Sequence, residues 1–202
     1  MSKFENGERF SFLRKRSAQP DTMMSKFKIR ELTICAVCVA LAVVLSNIKL
    51  FSMPQSGSVT PCSMFFIVLA GYWFGPAAGL MSGAAMGLLD LLMGGYVVHP
   101  AQLLLDYPLA FGLLGLSGFF RNMKHGLPIG YVVGVFGRFL MHFLSGVIFF
   151  ASYAQESGQP LMLYSAVYNG LYLLPEVVAT LAVIHIPAFK KALDRVKNWD
   201  AA

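Results

Sequence analysis

Hydrophobic residues run through this chain in long stretches rather than in the alternating patterns of soluble elements. Six apolar segments stand out: about 32–51, 62–74, 76–92, 101–120, 127–151 and 164–189. Segments of roughly 17–25 apolar residues are the length of transmembrane helices, so the pattern predicts an all-α, six-helix integral membrane bundle. The second segment is short and follows a Gly/Ser/Pro loop. Gly94-Gly95 closes the third.

Composition agrees. The chain of 202 residues is 56% hydrophobic and only 13% charged, with a mean hydropathy of +0.62. Soluble domains carry about twice that charge. The net charge of +6 could point to nucleic acid, but its placement argues for a membrane. Of the 16 basic residues, eight precede the first apolar segment, two lie in the Arg121–Lys124 loop and four follow Phe189. That is a positive-inside distribution, and six spans with basic termini put both termini in the cytoplasm. The loops at 52–61, 95–100 and 152–163 then face outward. Residues 1–25 read as a polar cytoplasmic tail without the apolar core of a signal peptide, 26–191 as the membrane domain and 192–202 as a second tail. Met1-Ser-Lys-Phe4 recurs as Met24-Ser-Lys-Phe27, as if translation could begin at either.

Small residues mark close helix contacts. Gly75, Gly79, Gly83 and Gly87 recur every four residues, Gly130, Gly134 and Gly137 less strictly, and Ala36-x-x-x-Ala40 marks the first span. Such spacing lets helix backbones approach, either inside the bundle or, for Ala36 and Ala40, against a partner. Cys35-Ala-Val-Cys38 lies inside an apolar helix and reads as small packing residues, not a redox or metal motif.

The costly residues within the spans are Asp90, Asp106, Arg138, His142, Asn169 and Glu176. A carboxylate at the membrane centre costs about 2.5–3.5 kcal/mol on insertion scales, so such residues mark function or pairing. On the predicted topology most of them fall in the outer half, which suits an outward-open pocket better than a proton path through the full thickness. Tyr107, Phe149, Phe150, Tyr153, Tyr164 and Tyr168 share that level. An interfacial belt accounts for any one of them; grouped beside Asp106, His142 and Asn169 they suit a flat cationic heterocycle. Arg138 and Glu176 lie deeper and are expected to form an ion pair between spans five and six, with Asp90 an alternative partner for Arg138. Neither Asp90 nor Arg138 is expected in the ligand site. No phosphate-binding loop, metal-protease or nucleophile-elbow motif occurs, and no cofactor is expected.

At these residues the chain resembles the thiamine-specific substrate-binding (S) component of energy-coupling factor transporters. The resemblance covers about 26–191. It is carried by Tyr96-Val-Val-His99-Pro-Ala-Gln102-Leu-Leu-Leu-Asp106-Tyr107-Pro-Leu-Ala-Phe111, by His142-Phe-x-Ser-Gly146-x-Ile-Phe-Phe-x-Ser-x-Tyr153-Ala154 and by Tyr164-Ser-x-x-Tyr168-Asn169-Gly170. It implies a six-helix S component in a bacterial plasma membrane. Such a protein is no enzyme: it captures thiamine from outside and delivers it through a transmembrane coupling subunit and two ATPases. It further implies that Asp106 takes the place of a ligand carboxylate, usually Glu, with Tyr107 beside it. Tyr96, His142, Tyr164 and Asn169 match other pocket positions, and Phe150 stands where some members stack a Trp on the pyrimidine. Ala36 and Ala40 would meet the coupling subunit. Many members carry a second Glu where this chain has Pro61-Cys62-Ser63, so hydroxymethylpyrimidine or a vitamin B6 form is an alternative ligand. A membrane-embedded enzyme and a self-sufficient proton-coupled carrier are alternatives of other classes.

Overall fold

The structure is a computed structural model that describes residues 29–54 and 57–197; the amino-terminal tail and the last five residues lie outside them. The chain divides into Met1–Thr33 and Ile34–Ala202. The described part of the first unit is the opening turn of helix α1 (Ile29–Ser46).

Beyond α1 come a two-residue hairpin, β1 (Phe51–Ser52) with β2 (Ser58–Val59), then α2 (Ser63–Phe74) and α3 (Pro76–Leu92). Helix α4 is Pro100–Phe120. It is followed by α5 (Gly126–Phe149), the short α6 (Ala151–Glu156), α7 (Leu161–His185) and α8 (Pro187–Lys197). The hairpin is antiparallel, pairing Phe51 with Val59 and Ser52 with Ser58. The first apolar segment therefore yields a helix only to Ser46. Its last residues turn into the hairpin instead of continuing to Phe51. The last segment breaks at Pro187, which opens α8. Residues 192–197 of the predicted C-terminal tail belong to that helix.

Helices α1, α4, α5 and α7 are long and apolar enough to cross a membrane, whereas α2 and α3 are shorter apolar helices. Along the long helices, apolar residues such as Val37, Val132, Phe136, Leu140, Leu171 and Val178 remain exposed. In water that surface would be a liability; in lipid it is the expected exterior.

Helix α2 has only 12 residues, about 18 Å at 1.5 Å per residue, well short of the roughly 30 Å hydrocarbon core. The reason lies at its start. Glu176 on α7 accepts hydrogen bonds from Thr60 Oγ1 (2.6 Å), Ser63 Oγ (3.1 Å) and the Met64 backbone N–H (3.0 Å). It caps the helix from another element, supplying acceptors and negative charge where free N–H groups gather. Glu176 is 3% exposed and stands about 22 Å along α7 from Leu161 at the helical rise. The strap carrying the hairpin descends to that depth before α2 begins. The backbone at Cys62 turns with a φ of 58°, the only positive φ outside glycine among the described residues.

The glycine rows are intramolecular, and both grip α4. A Cβ built on Gly79 would stand 2.6 Å from Gly115 Cα, and one on Gly83 would stand 2.8 Å from Gly112 Cα. From the other side, Gly130 faces Ser117 and Gly134 faces Leu114, with a Cβ landing 2.9 and 3.0 Å from their Cα atoms. Helix α4 is thus clamped between α3 and α5. It tightens to a 3-10 helix over Leu113–Phe120 and widens to a π-turn over Leu105–Leu109, around Pro108. The core beside it collects Met64, Phe65, Ile67, Met86, Phe111, Leu114 and Tyr131. Cys35 and Cys38 are buried on α1, not joined in a disulfide, and pack as small apolar residues.

Candidate functional site

Asp106 sits in the π-turn of α4. Proline cannot donate a backbone hydrogen bond, and a widened turn re-aims the side chains it carries; such turns recur at functional sites. The carboxylate accepts three hydrogen bonds from the protein. Its Oδ1 meets His142 Nδ1 at 3.0 Å, and its Oδ2 accepts from Gln102 Nε2 and Ser145 Oγ, both at 2.7 Å. Gln102 is 2% exposed and Ser145 1%. Gln102 also donates to the Tyr96 carbonyl and accepts from the Val98 N–H. One amide therefore locks the α3–α4 loop to the carboxylate one turn away.

Behind His142 stands Arg138, whose Nε donates to His142 Nε2 at 3.2 Å. Because Nε2 accepts, the ring proton resides on Nδ1 and is donated to Asp106. The imidazole is neutral and its tautomer is set from both sides. The Arg138 guanidinium carbon lies 3.9 Å from the Phe111 ring centroid, a cation–π contact that compensates its burial. The expected Arg138–Glu176 ion pair is absent: Glu176 is committed to the start of α2, and Arg138 to His142 and Phe111.

These groups open on a single cavity at the end of the bundle bearing the hairpin and the α3–α4 loop. Its wall includes Tyr96, Asp106, Tyr107, His142, Phe150, Tyr164 and Asn169, so the structure brings all seven residues singled out in the sequence together. Not all offer free groups. Tyr107 donates its hydroxyl to the Tyr96 carbonyl at 3.2 Å, holding the loop that carries Tyr96. Asn169 donates to the Ser165 carbonyl at 2.9 Å and to the Ser165 Oγ at 3.5 Å, and accepts from the Tyr172 hydroxyl at 2.9 Å, which leaves its oxygen one lone pair.

The aromatic groups form two walls. Tyr96 and Phe150 stack with centroids 6.1 Å apart at 30°, and Tyr164 and Tyr168 stack at 6.2 Å and 21°. The Tyr96 and Tyr153 hydroxyls meet at 3.1 Å between the α3–α4 loop and α6. That bond raises the Tyr153 pKa above the ordinary tyrosine range, so the phenol keeps its proton. Tyr168 also pins the strap, accepting from the Gly57 N–H at 3.1 Å and donating to the Pro54 carbonyl.

Sequence reasoning missed several wall residues, Lys49 among them. Asp90 and Arg138, set apart from the ligand site in the sequence, both line the cavity, as do Gln102 and Ser145. Gln102 precedes Asp106 by one helical turn, a spacing that lets side chains meet and that could have flagged it. Ser145 gives no comparable signal. Ala36 and Ala40 lie elsewhere, exposed on α1.

An all-α membrane bundle with a polar, aromatic-walled cavity lined in part by loops is a solute-binding transport protein in outline. The chain belongs to the thiamine transporter family: the profile of "Thiamine transporter protein (Thia_YuaJ)" matches residues 32–195. The family is the one the resemblance in the sequence pointed to, and it is a transport family, not one of enzymes, placing the chain in a bacterial plasma membrane as a multi-pass protein. Thiamine transporter ThiT of Bacillus subtilis strain 168 is 36% identical over 176 residues, covering 79% of this chain and 90% of that protein. Thiamine transporter ThiT of Lacticaseibacillus paracasei is 34% identical over 128 residues, covering 55% of this chain and 62% of the relative. The solved structure of ThiT from Listeria monocytogenes superposes with a TM-score of 0.65 at 29% identity, covering 77% of this chain and 91% of that one.

Proposed function

We propose that this protein is the thiamine-binding S component of an energy-coupling factor importer. It captures the vitamin from outside in the cavity around Asp106 and delivers it through a transmembrane coupling subunit driven by two ATPases. Asp106, organised by Gln102, His142 and Ser145, carries this reading. An anion held in a desolvated cavity between aromatic walls suits a flat ligand with a cationic ring and an amino group. The naming of the relatives as thiamine transporters supports the choice of vitamin.

In this reading the aminopyrimidine stacks against Phe150 and Tyr96, and Asp106 receives its amino group. Asn169 and Tyr164 orient the rest of the molecule. Tyr107 and His142 act chiefly by fixing Tyr96 and Asp106. The loop at 52–61, of which 52–54 and 57–61 are described, closes the site. Both termini lie in the cytoplasm. Exposed Ala36 and Ala40 offer a flat surface on α1 for the coupling subunit.

Calorimetric titration of the purified protein with thiamine tests the proposal. Micromolar or tighter binding is expected, about −8 kcal/mol or better. Asp106→Ala should weaken it by about a hundredfold, since a charge-assisted bond is lost and three donors are left unpaired. Tighter binding of pyridoxal or hydroxymethylpyrimidine than of thiamine would refute the choice of vitamin.

A further inference from the structure

Four formally charged side chains line the cavity: Lys49, Asp90, Asp106 and Arg138. Their charges sum to zero, with His142 neutral by its hydrogen bonds. If Asp90 did not contribute its charge, the wall would be net positive and would repel a cation. Ligand charge and wall charge therefore meet at Asp90.

The two carboxylates differ in what they have left to offer. Asp106 accepts three hydrogen bonds from the protein, which takes three of about four lone-pair sites. Asp90, near the end of α3, is half-buried and has neither a hydrogen bond nor an ion pair among the described residues. Arg138, His142 and Lys49 reach it only through space. A carboxylate removed from water without donors is costly, and a cationic ligand would repay that cost. Glu176 cannot substitute: its oxygens are held by Thr60, Ser63 and Met64, and it does not line the cavity. Asp90 and Asp106 also act electrostatically on the same neighbours, Tyr107 and His142. Both carboxylates line the same cavity.

We infer that Asp90 is a ligand-binding carboxylate of this cavity, the group that faces the permanent positive charge of the ligand while Asp106 receives its hydrogen-bond donors. The inference rests on the proposed thiamine reading and divides the recognition of one ligand between two anions.

The test compares two probes on the full chain by calorimetry: thiamine, whose thiazolium is cationic, and 3-deazathiamine, whose corresponding ring is neutral. Asp90→Asn keeps shape and removes charge. It should weaken thiamine by about ten- to a hundredfold, the scale of one charged contact, and change 3-deazathiamine by less than about threefold. Asp90→Glu should restore most of the thiamine affinity. An Asn variant that binds thiamine like wild type, or loses both probes equally, overturns the inference.

A second measurement needs no variant. Carbodiimide coupling of an amine to the wild-type protein, mapped by mass spectrometry, should label Asp90 in the absence of thiamine and be suppressed by saturating thiamine. Unchanged labelling overturns the inference. If wild-type protein binds no thiamine, the thiamine reading falls and the role of Asp90 with it; normal wild-type binding with indifferent Asp90 variants removes only the role of Asp90.

Discussion

At the scale of single residues, the site is a hydrogen-bond network in which each member has a different cost of removal. Ser145 gives Asp106 one bond, whereas Gln102 joins Asp106, the Tyr96 carbonyl and the Val98 N–H. Ser145→Ala should lower stability by about 1 kcal/mol, and Gln102→Leu by roughly 2–3 kcal/mol with a larger loss of thiamine affinity, because it strands buried partners. Thermal unfolding in detergent and calorimetric titration measure the two effects. Asp106, His142 and Asn169 were legible in the sequence because a polar group in lipid is conspicuous wherever it stands. The wiring was not. Arg138 and Glu176 looked like natural partners by charge and depth, yet helix rotation turns one toward His142 and the other toward the start of α2. No pattern in the chain reports that rotation.

Among the elements, α4 governs the site because both glycine rows close on it. A valine at Gly83 would drive its Cβ into the backbone of Phe111 and Gly112 and push α3 away from the helix that bears Asp106. Gly83→Val should therefore destabilise the protein by about 1–3 kcal/mol or more, the range of overpacked cores. Gly170→Ala, whose added Cβ would meet only Leu174 Cδ1 at 3.8 Å, should stay within about 0.5 kcal/mol. Melting temperatures of the two variants decide between a packing role and mere composition. The rows were visible in the sequence as a four-residue repeat, but not which helix they face. The π-turn was less legible still: Pro108 announces a disturbance in the helix, not the direction in which Asp106 is then aimed. The brevity of α2 was legible as a short apolar run, and its cause, a cap from α7, was not.

For the whole molecule, the proposed coupling to an energised module separates binding from transport. Liposomes containing this chain alone should bind thiamine and not accumulate it. Liposomes that also contain a coupling subunit and its ATPases should accumulate it when ATP is present. Ala36→Leu with Ala40→Leu should reduce that uptake and leave the calorimetric affinity unchanged, since both residues are exposed on α1 and away from the cavity wall. Accumulation by the chain alone would instead mark a self-sufficient carrier.

The shortness of α2 has an electrical consequence. Thr60 and Ser63, which line the cavity, lie at the depth of Glu176, and only the length of α2 separates them from the opposite end of the bundle. On the proposed reading, a cationic ligand that reached that depth would enter the membrane's field before any partner acts on it. Moving one charge across the full field is worth about 2.3 kcal/mol per 100 mV. A bound vitamin partway down would draw on part of that energy in the binding equilibrium itself, so that the resting potential of the cell helps to load its transporter.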